Sequence, residues 1–398
     1  MESTVLRAWA ALAVVALLLG ACGSVARLPA VPEGAEARAV VGDLEGVRYF
    51  VSTDLEVMRE DGIEAYQREI AWRESQGLEG PLPPAHFLAI SGGGENGAYG
   101  AGLINGWTAS GTRPEFKLVT GVSTGALSAP FAFLGPDWDD ELRAVYTEIS
   151  AADVLRSRGV FAALWSDAMA DNAPLRATIA GYVDAAFLEA IAAESRKGRL
   201  LLIGTTNIDA RRGVIWNIGK IAEQGGPGAV DLVIDLLVAS AAIPGAFPPS
   251  MIDVTVDGVA YQEMHVDGGA SAQVFVYPPS LNLKDLAKEN DAPQRERHVW
   301  VIRNARLDPD WADTERQVMS IAQRAISSLI QTQGVGDLYR IYATTQRDGV
   351  DFNLAYIPAS FDLTPAEPFE QAFMRALYDV GYGEAEQGYA WQKAPPGL

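Results

Sequence analysis

Gly121-Val122-Ser123-Thr124-Gly125 is a G-x-S-x-G pentapeptide set between an apolar run, Phe116-Lys117-Leu118-Val119-Thr120, and a helix-like one, Ala126-Leu127-Ser128-Ala129. Two glycines around a serine permit a sharp strand-to-helix turn, which leaves the hydroxyl exposed at its apex with the positive end of a helix dipole beneath it. The pattern therefore has the form of a nucleophile elbow. Small-residue turns also arise by chance, so on these five residues alone a nucleophilic Ser123 and a plain turn stand level.

Upstream, His86-Phe87-Leu88-Ala89-Ile90 has the character of a buried strand and runs into Ser91-Gly92-Gly93-Gly94-Glu95-Asn96-Gly97. Helix from Leu103 to Ser110 and strand from Phe116 to Thr120 follow, giving the strand, loop, helix, strand order of a parallel crossover. Gly92, Gly94 and Gly97 satisfy G-x-G-x-x-G, but the next strand ends in the elbow where a dinucleotide site would place a ribose-binding carboxylate. No Gly-Lys-Ser/Thr closes the loop, so a P-loop fails as well. Bare amides of Gly92, Gly93 and Gly94 suit an oxyanion hole, although three glycines could also serve close helix packing alone.

Farther on, Asp137 to Lys197 is helical in pattern and reads as a cap, and Leu200 to Asn207 with Gly213 to Ile218 reads as a hairpin. Asp231 to Ala242 is an apolar helix, and Asp253 to Val266 holds two strands around Asp257-Gly258. His298 to Asn304 and Phe352 to Ile357 are further strands, Thr314 to Gln346 a long helical stretch, and Pro368 to Glu386 a closing helix. One large α/β domain accounts for all of it.

A serine needs a partner to remove its proton, and the chain has only 3 histidines. His86 and His298 each begin a strand and read as structural. His265 would share a strand face with Asp267, and Asp267-Gly268-Gly269 is itself a turn signal, so a base and a turn former both remain open for Asp267. The histidines lack metal-ligand spacing, and neither a metal nor another cofactor is implied.

Taken together, Gly92-Gly93-Gly94-Glu95-Asn96-Gly97, Gly121-Val122-Ser123-Thr124-Gly125 and Asp267-Gly268-Gly269 resemble the patatin-like phospholipase family, in the family's order. Thr205-Thr206-Asn207-Ile208-Asp209, Ala239 to Pro249 and Gly381-Tyr382 extend the likeness over roughly 85 to 385. The resemblance implies a three-layer α/β/α fold with a mostly parallel central sheet. It implies Ser123 as nucleophile, Asp267 as general base in a Ser-Asp dyad, the Gly92, Gly93 and Gly94 amides as oxyanion hole, and no role for histidine. The substrate it implies is a fatty acyl ester or phospholipid, cleaved through an acyl-enzyme. In one departure, the basic residue usual before the last glycine of the first motif is Asn96 here, which removes that side chain from any phosphate recognition. A catalytically silent lipoprotein that binds lipid or a protein partner, and an acyltransferase using the same dyad, are the alternatives.

The 398 residues, 48% hydrophobic and 21% charged, are ordinary globular material. With 51 acidic against 31 basic residues the formal charge is -20, which excludes nucleic acid and makes a polybasic membrane contact untenable. A membrane link must come from an apolar or covalent anchor. Arg7 precedes an apolar run, Ala8 to Leu19, of signal-peptide length, and Leu19-Gly20-Ala21-Cys22 ends it in a form resembling a bacterial lipobox. The lone cysteine cannot form an internal disulfide, and Cys22 reads as a lipid attachment point. The expected organisation is a signal peptide over 1–21, a tether with one possible helix over 22–84, and the hydrolase domain over 85–390. The expected location is a bacterial envelope, at the outer membrane facing the periplasm.

Overall fold

The computed structural model describes residues 26–158, 167–290, 292–308, 311 and 313–398. Cys22 and the 1–21 segment lie outside the described residues. The strands are β1 (Arg48–Phe50), β2 (Ala85–Ile90), β3 (Phe116–Val122), β4 (Arg156–Ser157), β5 (Ala170–Asp171), β6 (Leu200–Asn207), β7 (Arg212–Asn217), β8 (Ser250–Val256), β9 (Val259–Asp267), β10 (Arg297–Arg303) and β11 (Asp351–Tyr356). Among the described residues, nine of them make one sheet with the order β1-β7-β6-β3-β2-β10-β11, to which β9 and then β8 attach at β6. The five strands from β6 to β11 in that order run parallel. β7, β1, β9 and β8 join antiparallel.

The alternation of side chains along each strand splits the interior into two apolar layers. Leu88, Ile90, Val119, Leu201 and Ile203 face one way, onto the helices Gly97–Ala109, Thr124–Leu134 and Gln371–Glu386. Ala89, Leu118, Leu202, Val299 and Val301 face the other, toward the helix Leu55–Ser75 and the C-terminal half of the helix Val318–Asp348. This is a three-layer α/β/α fold with a mostly parallel sheet. Among the described residues, no helix is long and apolar enough to cross a membrane.

The segment read as a tether is, from residue 27 on, bonded to this body. Val47, Tyr49 and Phe50 are buried, and β1 pairs with β7 at the sheet margin. The inward stripe of Leu55–Ser75 is Met58, Asp61, Ala65 and Glu69, so carboxylates hold this helix where an apolar stripe would be expected. Glu69 takes both terminal nitrogens of Arg295 at 2.7 and 2.8 Å and Lys117 at 2.9 Å. Asp61 accepts from Tyr49, Lys220 and Asn217.

Candidate active site

β6 explains why two residues 144 apart in sequence come together. Along one margin of that strand, β3 runs parallel as far as Val122, opposite Gly204. β9 descends antiparallel along the same margin and ends with Asp267 opposite Thr205, the very next residue. The two strands therefore meet head to head, and Ser123 and Asp267 occupy the seam. Both are buried, and Ser123 stands close enough to the Asp267 carboxyl to favour its ionised form.

Ser123 sits at φ 55, ψ −127, a conformation that L-residues seldom adopt and that costs about 1–3 kcal/mol. The flanking glycines make it possible. A Cβ on Gly121 would lie 2.4 Å from the Gly125 carbonyl oxygen, and one on Gly125 would lie 2.3 Å from that of Ile90. Ser240 holds the elbow from behind: its hydroxyl accepts the Ser123 amide at 2.9 Å and donates to the Gly204 carbonyl at 2.7 Å. It thereby braces the strained residue and the seam at once. A lone polar residue late in the apolar stretch 231–242 was the available sequence signal for this part.

Asp267 donates its own amide to the Ala242 carbonyl, and its carboxylate accepts the Gly269 amide at 2.7 Å. Burial pushes the carboxyl up to about 6, against the Ser123 hydroxyl and the Gly269 amide, which favour the ionised form. The Asp-Gly-Gly turn is tied to the glycine loop through Gln273, whose side-chain amide donates to Gly269 and whose carbonyl accepts the Gly92 amide at 3.1 Å.

That last bond narrows the donor set expected of the loop. The Gly92 amide is already engaged, whereas among the described residues no carbonyl takes the Gly93 or Gly94 amide. Gly92 instead lets the loop press on the nucleophile: a Cβ there would stand 3.1 Å from that of Ser123. Asn304, at the end of β10, secures the loop by donating its amide to the Ser91 hydroxyl (2.8 Å) and its side-chain nitrogen to the Ser91 carbonyl (2.9 Å).

None of the histidines meets Ser123. His265 is wholly buried in a closed chain, with Nδ1 2.9 Å from the Thr205 hydroxyl and Nε2 3.0 Å from Glu263. The Glu263 carboxylate, paired with Arg48, can only accept, so Nε2 carries the ring proton toward it and Nδ1 accepts from the Thr205 hydroxyl, which in turn accepts from Trp216. Burial holds this imidazole below its ordinary value, outweighing Glu263. Its one lone pair is spent, which leaves it no basic nitrogen to offer. His86 and His298 stack at 4.9 Å at the opposite, amino end of the strands.

A cavity of about 850 Å³, counting its open mouth, leads from Ser123 into the first apolar layer. Gly94 and Ser123 stand at one part of its wall, and Leu127, Phe131, Ile179, Phe187, Leu237 and Phe247 supply much of the rest. Several of these come from the helical 137–197 region, which covers the serine as the cap the sequence suggests.

The fold and the strand-to-helix serine place this chain among α/β proteins with an elbow at the carboxyl ends of parallel strands. More particularly, residues 88–278, just under half of the chain, match the family model described as Patatin-like phospholipase, so this part of the chain is similar to a patatin-like phospholipase domain. Among solved structures, VipD from Legionella pneumophila aligns at 12% identity with a TM-score of 0.38, over 77% of this chain and 66% of that one. A search of curated proteins gave no match.

Proposed function

We propose that the chain is a lipid acyl hydrolase of the phospholipase A or esterase type, working through Ser123 and Asp267. The observation that carries this reading is the seam: a strained serine, set beside a buried carboxylate, at the wall of an apolar cavity. Asp267 accepts the hydroxyl proton as Ser123 Oγ attacks the acyl carbonyl, and the carbonyl π electrons move onto oxygen. The Gly93 and Gly94 amides are the donors suited to that oxyanion. Collapse of the tetrahedral intermediate expels the alcohol, which takes the proton from Asp267. Water then attacks the acyl-serine with the same carboxylate as base, and collapse of the second intermediate releases the fatty acid as Ser123 Oγ takes the proton back from Asp267. The apolar cavity suits the acyl chain and leaves the head group toward solvent.

The test is turnover of p-nitrophenyl esters and of phospholipid by the full chain. Ser123→Ala and Asp267→Asn are each expected to abolish both, and His265→Gln to retain them. Loss of turnover in His265→Gln with the fold intact would overturn the dyad.

For the N-terminus we propose lipidation at Cys22 and residence in a bacterial envelope, at the outer membrane facing the periplasm. The support is the lipobox-like Leu19-Gly20-Ala21-Cys22 and the single cysteine. A fatty-acid probe should label the chain and fail to label Cys22→Ala; label surviving that substitution would refute it.

A further inference from the structure

The helix Val318–Asp348 is 31 residues long, about 46 Å at 1.5 Å per residue, whereas β10 has 7 residues and spans about 23 Å. It cannot fit within the sheet it covers. Its C-terminal half does pack, through Leu338 and Ile341, and ends where β11 begins at the amino ends of the parallel strands. At the other end, Gln331 fastens it to Arg303 and to the Arg306 and Leu307 carbonyls, just past the carboxyl end of β10. Everything before Gln331 therefore overhangs the edge of the sheet at which Ser123 and the glycine loop lie.

The overhang is inside out. Its part-buried positions include Ser320 and Arg324, in line with Gln331. Its outward face presents Val318, Ile321, Ile326 and Leu329, with Val318 83% and Leu329 69% exposed. Trp311, 86% exposed, precedes it. A soluble surface helix normally turns the opposite way, and an exposed apolar patch of this kind marks a contact with another phase or molecule.

The chain's entry point indicates which. Arg27 pairs with Asp209, which follows the carboxyl end of β6, and the Leu28 amide donates to Gln262 on the part of β9 that runs beyond that same end. The 25 residues that precede the described chain, Cys22 among them, thus join it at the edge from which the helix projects. We infer that the Val318–Leu329 face is a docking surface for a lipid bilayer, which seats the serine's edge of the molecule against the membrane. With a chain charge of -20, the contact is apolar and suits a zwitterionic surface, with Trp311 at the head-group level. This rests on the proposed lipid anchor for the choice of occupant but not on hydrolysis.

The test places a polarity-sensitive fluorophore at Leu329→Cys in the full chain, with the chain keeping Leu329 as labelling background, and adds phosphatidylcholine vesicles. The emission should shift to the blue. Adding Ile326→Asp should weaken the vesicle affinity of that shift by about tenfold or more, the scale of one buried aliphatic side chain lost. Turnover of a soluble p-nitrophenyl ester should stay unchanged, which separates failure of docking from failure of the catalytic reading. A label equally water-exposed with and without vesicles would overturn the inference, as would a shift that follows protein concentration without lipid, which marks pairing of two copies.

Discussion

Asp267 is asked to be a base while buried, and its environment sets the pH at which it can serve. Burial raises its carboxyl from 3.8 to about 6. Turnover of a neutral ester should therefore fall along an acid limb centred near pH 6, where an exposed aspartate would remain competent. A limb near pH 4 would contradict this account. The same shift has a stability counterpart. A carboxyl raised above its unfolded value contributes stability that is present below about pH 4 and lost as pH rises through about 6. Asp267→Asn should thus be inactive yet more stable than the parent at pH 7.5, by up to about 3 kcal/mol, with the gain vanishing near pH 4. Paired thermal melts at the two pH values check it. At this scale the glycines mark Ser123 and Asp267 as turn residues, and only the resemblance of the three motifs as a set implies their catalytic roles. The use of Gly92's amide by Gln273 was not legible, because that bond joins residues 181 apart and leaves no local pattern.

Among the elements, the crossover unit from β2 to β3, the β6–β7 and β8–β9 hairpins and the closing helix lie where period and turn residues place them. The described part of the 22–84 segment, residues 26–84, differs for a physical reason. β1 is three residues long, too short for any alternation to register, and the helix Leu55–Ser75 turns Asp61 and Glu69 inward. An apolar-period reading sees a polar helix and infers solvent. Burial pushes the Glu69 carboxyl up, but Arg295 and Lys117 outweigh it and hold it below the usual range. Glu69→Ala would leave the buried Arg295 without its carboxylate and Lys117 with Glu115 alone, and a loss of about 3–5 kcal/mol is expected from the denaturant midpoint. No change in midpoint would mean that the segment is the loose tether its composition suggests.

For the whole molecule, the fold places the elbow, the glycine loop and the Asp-Gly-Gly turn at the carboxyl ends of adjoining strands, the usual ligand-binding edge of an open α/β sheet. The order of motifs along the chain carried that much. The cavity was less legible, because its wall gathers side chains from helices spread over more than a hundred residues, each of which reads by itself as ordinary core. The central claim is that Ser123 is an activated nucleophile, and a fluorophosphonate probe on the full chain tests it most directly. Covalent labelling at Ser123 is expected, lost in Ser123→Ala and in Asp267→Asn; a chain that stays unlabelled, or is labelled equally in Ser123→Ala, would overturn the claim.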